Sequence, residues 1–193
     1  MILRFVSLLY CCVLAAVHAG GVLAASAAAT PNIVVFLSDD HSLLDSTVYG
    51  STEVKTPQMQ RIASAGLTFT HAFVASLSCA PSRAALLTGL MPARNGAESN
   101  HAKPRAEIKK LPAYFKEIGY EVVSFGKVSH YQHTSDYGFD FFAYDKYHED
   151  VAIPEGIRWL RARKSHRPLC LFLGTNWPHV PWPVGGDEFQ LTP

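Results

Sequence analysis

The sequence predicts an α/β protein with a largely parallel sheet and helices on both faces. Short apolar runs typical of buried strands recur along the chain, and amphipathic segments typical of helices lie between them. With 193 residues, of which 48% are hydrophobic, the chain is long enough to bury one sizeable core. Its formal net charge of +1, with no long basic run, argues against nucleic acid as a partner.

The first 25 residues have the pattern of a signal peptide. Arg4 is followed by an apolar stretch over residues 5–17 and then by small residues that offer several cleavage points. The alternative is an uncleaved membrane anchor. Gly20 and Gly21 argue against it because they interrupt a stretch that is already short for a membrane span. We therefore expect an exported protein, periplasmic or secreted, without stable membrane insertion.

Two strands and two helices are predicted in the first half of the remaining chain. Residues 32–38 form an apolar run typical of a strand buried on both faces. Pro57 in the first turn and Gly66 at the end bound a helix. Its predicted inner face consists of Met59, Ile62 and Ala63. Residues 67–74 have the pattern of a second strand, and another helix begins at about Pro81.

The second half continues the alternation of helices and strands. A helix ends at Gly119, the third strand covers residues 121–125, a helix starts at Pro154, and the fourth strand covers residues 168–173. The apolar residues expected to face inward from these two helices are Leu111, Phe115, Ile118, Ile157 and Leu160.

Reactive side chains follow the predicted strands. In open α/β sheets, ligands bind beyond the carboxyl ends of the strands, so we expect one composite site there. The residues that follow the four strands in order are Asp39 and Asp40, then Cys79, then Lys127 and His130, and finally His179. The polar and aromatic segments 95–105 and 130–150 are predicted to be surface loops that shape a substrate cleft.

Adjacent carboxylates at Asp39 and Asp40 indicate a cation site. Two such groups repel each other unless a cation or a hydrogen-bond network compensates their charge. Hard oxygen ligands suit Ca²⁺ or Mg²⁺. The alternative is a solvated turn in which one aspartate caps a helix, but the position directly after a buried strand favours metal.

A cysteine stands near the predicted start of the second helix, in the string Cys79-Ala80-Pro81-Ser82-Arg83, with Thr88-Gly89 downstream. Backbone N–H groups and the helix dipole favour an anion at such a place. The ordinary interpretation is a small buried core cysteine. The complete string instead resembles the signature of the type I sulfatases, in which this cysteine is oxidised to Cα-formylglycine (3-oxoalanine).

The resemblance extends to two later motifs. Residues 119–130 contain Gly-Tyr, a strand, Gly-Lys and a nearby histidine, similar to the second sulfatase signature. By this resemblance Lys127 would bind the sulfate and His130 would be the base that releases it. Trp177-Pro178-His179 is similar to the segment whose histidine contacts the sulfate and protonates the leaving oxygen. Taken singly, these motifs also fit a strand-end lysine, a loop histidine and a rigid turn.

The family resemblance implies an alkaline-phosphatase-like fold over residues 31–193 and a sulfuric ester hydrolase acting on a sulfated glycan or an aryl sulfate. It implies Ca²⁺ (or Mg²⁺) held by Asp39, Asp40 and the converted Cys79, with hydrated formylglycine as the nucleophile. Arg83 would hold that nucleophile through its rigid guanidinium. A formylglycine-generating enzyme would be the partner during maturation.

Two other functions stay open from the sequence. One is a phosphate or phosphonate monoester hydrolase of the same fold, and the other is a non-catalytic exported binding protein. Family members also carry further metal ligands and a second sulfate-binding lysine downstream of the motifs above. The chain reaches Pro193 before any such motif. We therefore expect a C-terminally incomplete domain with an incomplete metal site and little or no activity of its own.

Overall fold

The computed structural model describes residues 30–144 and 152–180. Four strands form one sheet in the order β1-β4-β2-β3, and every neighbouring pair is parallel. Leu37, Gly174 and Gly126 lie side by side in the register, so β1, β4 and β2 end at the same edge. The strands are β1 (Ile33–Leu37), β2 (Glu121–Gly126), β3 (Phe141–Ala143) and β4 (Leu169–Gly174).

Helices connect the strands, as the alternation in the sequence predicts. The α-helices are α1 (Pro57–Ala65), α2 (Cys79–Thr88), α3 (Pro92–Asn95), α4 (Leu111–Glu117) and α5 (Ala152–Ala162). Short 3₁₀ helices cover Leu43–Asp45, Thr47–Tyr49 and Tyr131–Tyr137. Within the described part of the chain, no helix has the length and apolar character needed to cross a membrane.

Helices cover both faces of the sheet, which confirms the predicted layering. On one face, Val122 of β2 and Phe172 of β4 pack with Leu87 of α2 and Phe115 of α4. Cys170 is buried in the same cluster, and this burial raises the pKa of its thiol to about 11. Cys170 is therefore a protonated, apolar core residue at neutral pH.

The opposite face is covered by α5. Val123, Phe125 and Leu171 form its core with Trp159 packed against them. A Cβ on Gly156 would lie 3.1 Å from Leu173 and 3.3 Å from Phe125. The small residue at this position lets the helix lie close to the sheet.

Two strand predictions are wrong. Residues 67–74 form no strand; they run as an irregular segment with Phe73 89% exposed. β1 is not buried on both faces, because Val34 is 62% exposed and Phe36 is 63% exposed. β1 is an edge strand of the described sheet, and α5 contacts β2 and β4 on that face. Local apolar patterns cannot reveal which strand receives a covering layer.

Several predicted inner faces also differ from the structure. Met59 and Ile62 of α1 are exposed, as are Ile118, Ile157 and Leu160. In α5 the sheet is contacted through Ala152 and Trp159 instead. The predicted loop over residues 130–150 contains β3, and its Tyr137 and Phe139 are buried in the core.

Candidate active site

The loops after three strands meet at one edge of the sheet. Asp39 is the second residue after β1, Lys127 follows β2 directly, and the segment 175–180 follows β4. Backbone hydrogen bonds join them: Asp39 N–H donates to the Trp177 carbonyl (3.1 Å), and Lys127 N–H donates to the Gly174 carbonyl (2.9 Å). The predicted clustering at strand ends is confirmed for these three segments. Cys79 reaches the same edge through α2 and not through a preceding strand.

A buried cluster of three charges lies at this edge. One carboxylate oxygen of Asp39 accepts a hydrogen bond from Arg83 Nη2 at 2.9 Å, and the other accepts one from Lys127 Nζ. Asp39 is 2% exposed, and Lys127 is 1% exposed. Charged groups are buried in proteins when they are paired and hydrogen-bonded. The two cations thus outnumber the one carboxylate, which leaves this cluster with an excess positive charge.

Arg83 also connects α2 to two strand ends. Its guanidinium donates to the carbonyl of Ser38 at 3.3 Å, to that of Val128 at 3.4 Å, and to that of Lys127. Five N–H donors in a rigid fork suit this many acceptors. The side chain that pairs with Asp39 therefore also fixes where α2 begins relative to the sheet.

Cys79 is the first residue of α2, one turn before Arg83. Residues four apart lie on the same face of a helix, so the thiol and the guanidinium point to the same side. The thiol is partly exposed and donates to Asn100 Oδ1 over 3.5 Å. Together with Asp39 and Asp40, it lines an open cavity of about 790 Å³.

Gly174 permits the close approach of β4 to the loop that carries Lys127. A Cβ on Gly174 would lie 2.3 Å from the Lys127 carbonyl oxygen and 2.7 Å from the Val128 nitrogen. Real Cβ contacts are not this short, so any side chain here would displace Lys127. The only sequence signal of this glycine is its place at the end of an apolar strand, and that place alone does not indicate its role.

His130 is partly buried and is flanked by three aromatic rings. The ring centroids of His101, Tyr131 and His133 lie 4.6, 4.9 and 5.3 Å from its own. Burial lowers its pKa to about 4, and the positive charges of His101, His133, Lys127 and Arg83 act in the same direction. His130 is therefore neutral at pH 7 and able to accept a proton.

His179 and Asp40 face each other across the same edge. His179 Nε2 lies 3.7 Å from Asp40 Oδ2, which is within range of an ion pair but too long for a hydrogen bond. The Asp40 side chain is half exposed, and its backbone adopts a left-handed φ of 57°. Asp40 is thus open to solvent beside the buried Asp39.

The carboxylate oxygens of Asp39 and Asp40 are the type of ligand that a hard divalent cation prefers, but they are too few to complete its coordination. Ca²⁺ takes six to eight oxygen ligands. Among the described residues, no three His, Cys, Asp or Glu side chains lie close enough together to hold a metal. Both Asp39 oxygens already accept hydrogen bonds from cations, although a carboxylate can accept about four. The ligand set Asp39, Asp40 and residue 79 therefore stays a prediction.

Asn100 and His101 also belong to this site, although no motif in the sequence indicates a role for them. Asn100 contacts the thiol of Cys79, and His101 contacts the ring of His130. Both lie in the segment 95–105, which has no regular pattern to place it. The sequence predicted only that this segment shapes a cleft.

Comparison with known proteins decides the family. A family model described as Sulfatase matches residues 31–188. This chain belongs to the sulfatase family. An ulvan-active sulfatase of Formosa agariphila is 36% identical over 157 residues, which cover 77% of this chain and 30% of that protein. An N-acetylglucosamine-6-O-sulfatase of Bacteroides thetaiotaomicron is 28% identical, covering 79% and 31%.

Solved structures agree with the family. A protein solved in complex with its substrate D-glucosamine-2-N,6-O-disulfate superimposes on this chain with a TM-score of 0.68 at 25% identity. The match covers 79% of this chain and 35% of that one. A phosphonate monoester hydrolase of Agrobacterium radiobacter shares the fold, with a TM-score of 0.64 at 19% identity, covering 78% and 42%. The alkaline-phosphatase-like fold is confirmed. The chain spans about a third of the length of the curated relatives described above.

Proposed function

We propose that this sulfatase-family chain carries the nucleophile, and the charged residues around it, of a sulfuric ester hydrolase that releases sulfate from a sulfated glycan. The observation that carries the proposal is the cationic cluster of Arg83 and Lys127 on Asp39, one helical turn from Cys79. Sulfate-ester hydrolysis places negative charge on oxygen atoms in the transition state. Pre-positioned cations in a partly buried site stabilise that charge.

Residue 79 is proposed as the nucleophile after conversion of Cys79 to formylglycine, whose hydrated form supplies two hydroxyl groups on one carbon. The partner in that step is a formylglycine-generating enzyme that reads Pro81 and Arg83. Pro81 and Arg83 are buried in the folded chain, so the enzyme would have to read them before α2 packs against the sheet. Arg83, on the same helix face, orients the side chain at position 79.

His130 and His179 are proposed to transfer protons: His130 as a base that acts on residue 79, and His179 as an acid that protonates the leaving oxygen. Burial and the nearby charges of Lys127 and Arg83 keep His130 unprotonated at pH 7, so it has a free site for a proton. His179 lies at the same edge of the sheet, with its Nε2 3.7 Å from Asp40 Oδ2, and is proposed as the acid for the leaving oxygen. Lys127 is proposed to bind the sulfate oxygens.

Asp39 and Asp40 are proposed to hold Ca²⁺ (or Mg²⁺), with residue 79 as a further ligand. When bound, the ion supplies positive charge that favours an ionised hydroxyl at position 79. In the structure Lys127 is committed to Asp39. A cation held by Asp39 and Asp40 would supply positive charge to that carboxylate, and Lys127 would then be available to bind the sulfate.

A sulfated glycan is the proposed substrate class, ahead of a small aryl sulfate. The named relatives act on ulvan and on N-acetylglucosamine-6-O-sulfate, and the solved complex holds a disulfated glucosamine. Export is proposed as well, in keeping with an extracellular polysaccharide and with the signal-peptide pattern of the first 25 residues. Those residues lie outside the described part of the chain.

The second candidate is a phosphate or phosphonate monoester hydrolase, because such an enzyme shares the fold. A non-catalytic binding protein is the third. Turnover of matched sulfate and phosphate esters of one sugar by the full-length gene product separates the first two. Mass spectrometry of the Cys79 peptide addresses the third, since formylglycine is expected in an enzyme and an unchanged thiol in a binding protein.

The direct test is Cys79→Ser in the full-length gene product. Serine offers one hydroxyl where hydrated formylglycine offers two, so a sulfated serine forms but lacks the second hydroxyl for release. We expect at most a single turnover, measured as sulfate released per enzyme, with unchanged folding by circular dichroism. Full multiple turnover by the serine variant contradicts the formylglycine proposal.

The 193-residue chain by itself is expected to release little sulfate, because its described residues contain no complete set of metal ligands. The assay compares the 193-residue chain with the ulvan-active sulfatase of Formosa agariphila at equal concentration and with added Ca²⁺. Robust metal-dependent turnover by the 193-residue chain contradicts this expectation.

A further inference from the structure

We propose that His101 is a positioning residue that fixes the ring of His130 in the site. The inference deepens the proposed function and rests on it, since His130 is the proposed base. His101 lies 29 residues before His130 in the sequence. Its role is therefore a product of the fold and not of a local motif.

Of the three rings around His130, only that of His101 comes from a distant part of the sequence. Tyr131 and His133 are its near neighbours in the 3₁₀ helix that begins at Tyr131. His101 approaches edge-on at 85° with a centroid distance of 4.6 Å, which is the shortest of the three ring distances. Edge-to-face ring pairs at this distance are favourable and define an orientation. Without His101, the side of His130 that it covers would be open.

The segment that carries His101 is fastened at several points. Asn100 Oδ1 accepts from Cys79 Sγ at 3.5 Å and from the His101 backbone N–H at 3.1 Å. Lys103 forms an ion pair of 2.7 Å with Asp136, in the same 3₁₀ helix as His133. These contacts tie His101 to the nucleophile position on one side and to the His130 segment on the other.

Backbone conformation supports the same interpretation. The described non-glycine residues with left-handed φ angles are Asp40 (57°), His101 (65°) and Tyr131 (48°). Such conformations cost energy outside glycine and cluster at functional sites. Two of the three residues pack against His130, and the third is a proposed metal ligand.

The ionisable groups whose charge acts on His130 are all basic, and Tyr131 contacts it through its ring. The basic groups are His101, His133, Lys127 and Arg83, each of which disfavours a proton on His130. No carboxylate contributes to His130 among the described residues. His101 therefore acts on His130 through both ring packing and charge, and the two effects are separable by substitution.

Two variants separate these effects. His101→Asn removes the ring and retains a residue that tolerates the left-handed backbone. His101→Phe retains an aromatic ring and removes the charge, although the left-handed backbone costs more for the larger phenyl side chain. His166→Ala is the matched control, because His166 is an exposed histidine elsewhere on the surface.

The first readout is independent of turnover. Ring ¹H–¹³C NMR signals of His130 in the 193-residue chain, assigned through His130→Gln, are expected to shift and broaden in His101→Asn. In His101→Phe they should stay as sharp as in the wild type, and the His130 titration should move to higher pH in both variants. The spectrum of His166→Ala should match the wild type.

The second readout is turnover by the full-length gene product. His101→Asn is expected to lower kcat on a sulfated sugar by about 10-fold with KM within about twofold, and His101→Phe to recover most of the loss. This is a modest part of the 10²–10⁴-fold that a positioned base contributes. A wild-type protein without sulfatase turnover refutes the proposed function, while the NMR result still decides whether His101 orders His130.

Three outcomes overturn the inference. The first is an unchanged His130 signal in His101→Asn. The second is a kcat for His101→Asn equal to that of the wild type. The third is a His101→Phe variant with a sharp His130 signal and a kcat as low as that of His101→Asn, because His101 would then act through its own nitrogens.

Discussion

At the scale of single residues, the site is governed by a buried carboxylate that two cations neutralise. Asp39 and its neighbour Asp40 have the same chemistry but opposite surroundings, since one is buried between Arg83 and Lys127 and the other is exposed. The sequence pattern does not distinguish the two aspartates. Their difference follows from the fold and gives a matched experiment.

Asp39→Asn is expected to destabilise the chain by about 3–5 kcal/mol, because it leaves two buried cations without their counter-charge. Asp40→Asn is expected to change stability by less than about 0.5 kcal/mol, as is usual for exposed sites. Urea unfolding in a chelator, without metal, measures both. Equal effects of the two substitutions would contradict the buried cluster.

His130 makes the stability depend on pH. Its pKa is lowered from 6.5 to about 4 in the folded state. Between these values the unfolded state binds the proton and the folded state does not, so stability falls as pH drops from about 6.5 to about 4. His133 acts in the same direction, because burial lowers its pKa too. The urea midpoint measured at pH 7 and at pH 5 should fall less in His130→Gln than in the wild type.

At the scale of secondary-structure elements, parallel strands bring their carboxyl ends together and helix α2 adds Cys79 and Arg83. The contact between the end of β4 and the Lys127 backbone is the closest of these approaches. Packing at this edge therefore sets the position of Lys127. Substitutions at Gly174 in β4 and at Ser124 in β2 test the packing of the sheet.

Gly174→Ala is expected to destabilise the chain by about 1–3 kcal/mol or more, because the added methyl overlaps the Lys127 backbone. Gly66→Ala is the control, since its Cβ would meet only the Ile62 carbonyl oxygen at 3.4 Å. Thermal unfolding measures both. The close approach of β4 is disproved if Gly174→Ala unfolds at the same temperature as the wild type.

Ser124 in β2 has a buried hydroxyl without a hydrogen-bond partner among the described residues. Ser124→Ala is expected to be neutral or to stabilise by about 1 kcal/mol, because it removes an unsatisfied polar group. Ser129, equally buried, shares a 2.6 Å hydrogen bond with Thr134, and Ser129→Ala should destabilise. Urea unfolding of the two variants should give opposite or clearly unequal shifts.

At the scale of the whole molecule, local patterns predicted β2 and β4 well and residues 67–74 poorly. β4 is a continuous apolar run and β2 is a mainly apolar segment interrupted by Ser124, and both are buried on both faces. Residues 67–74 have a similar pattern but no neighbouring strand in the described sheet. A strand requires a partner, and a partner is a property of the tertiary structure.

The sequence by itself determined the fold class, the strand-end positions of Asp39, Lys127 and His179, and the motif that identifies Cys79. Each of these depends on residue type and short spacing. Only the tertiary structure decided that Asp39 pairs with Arg83 and Lys127, which are 44 and 88 residues away. It likewise brought His101 onto His130. Sheet order and loop packing set such contacts, because they join distant residues through surfaces that no local pattern encodes.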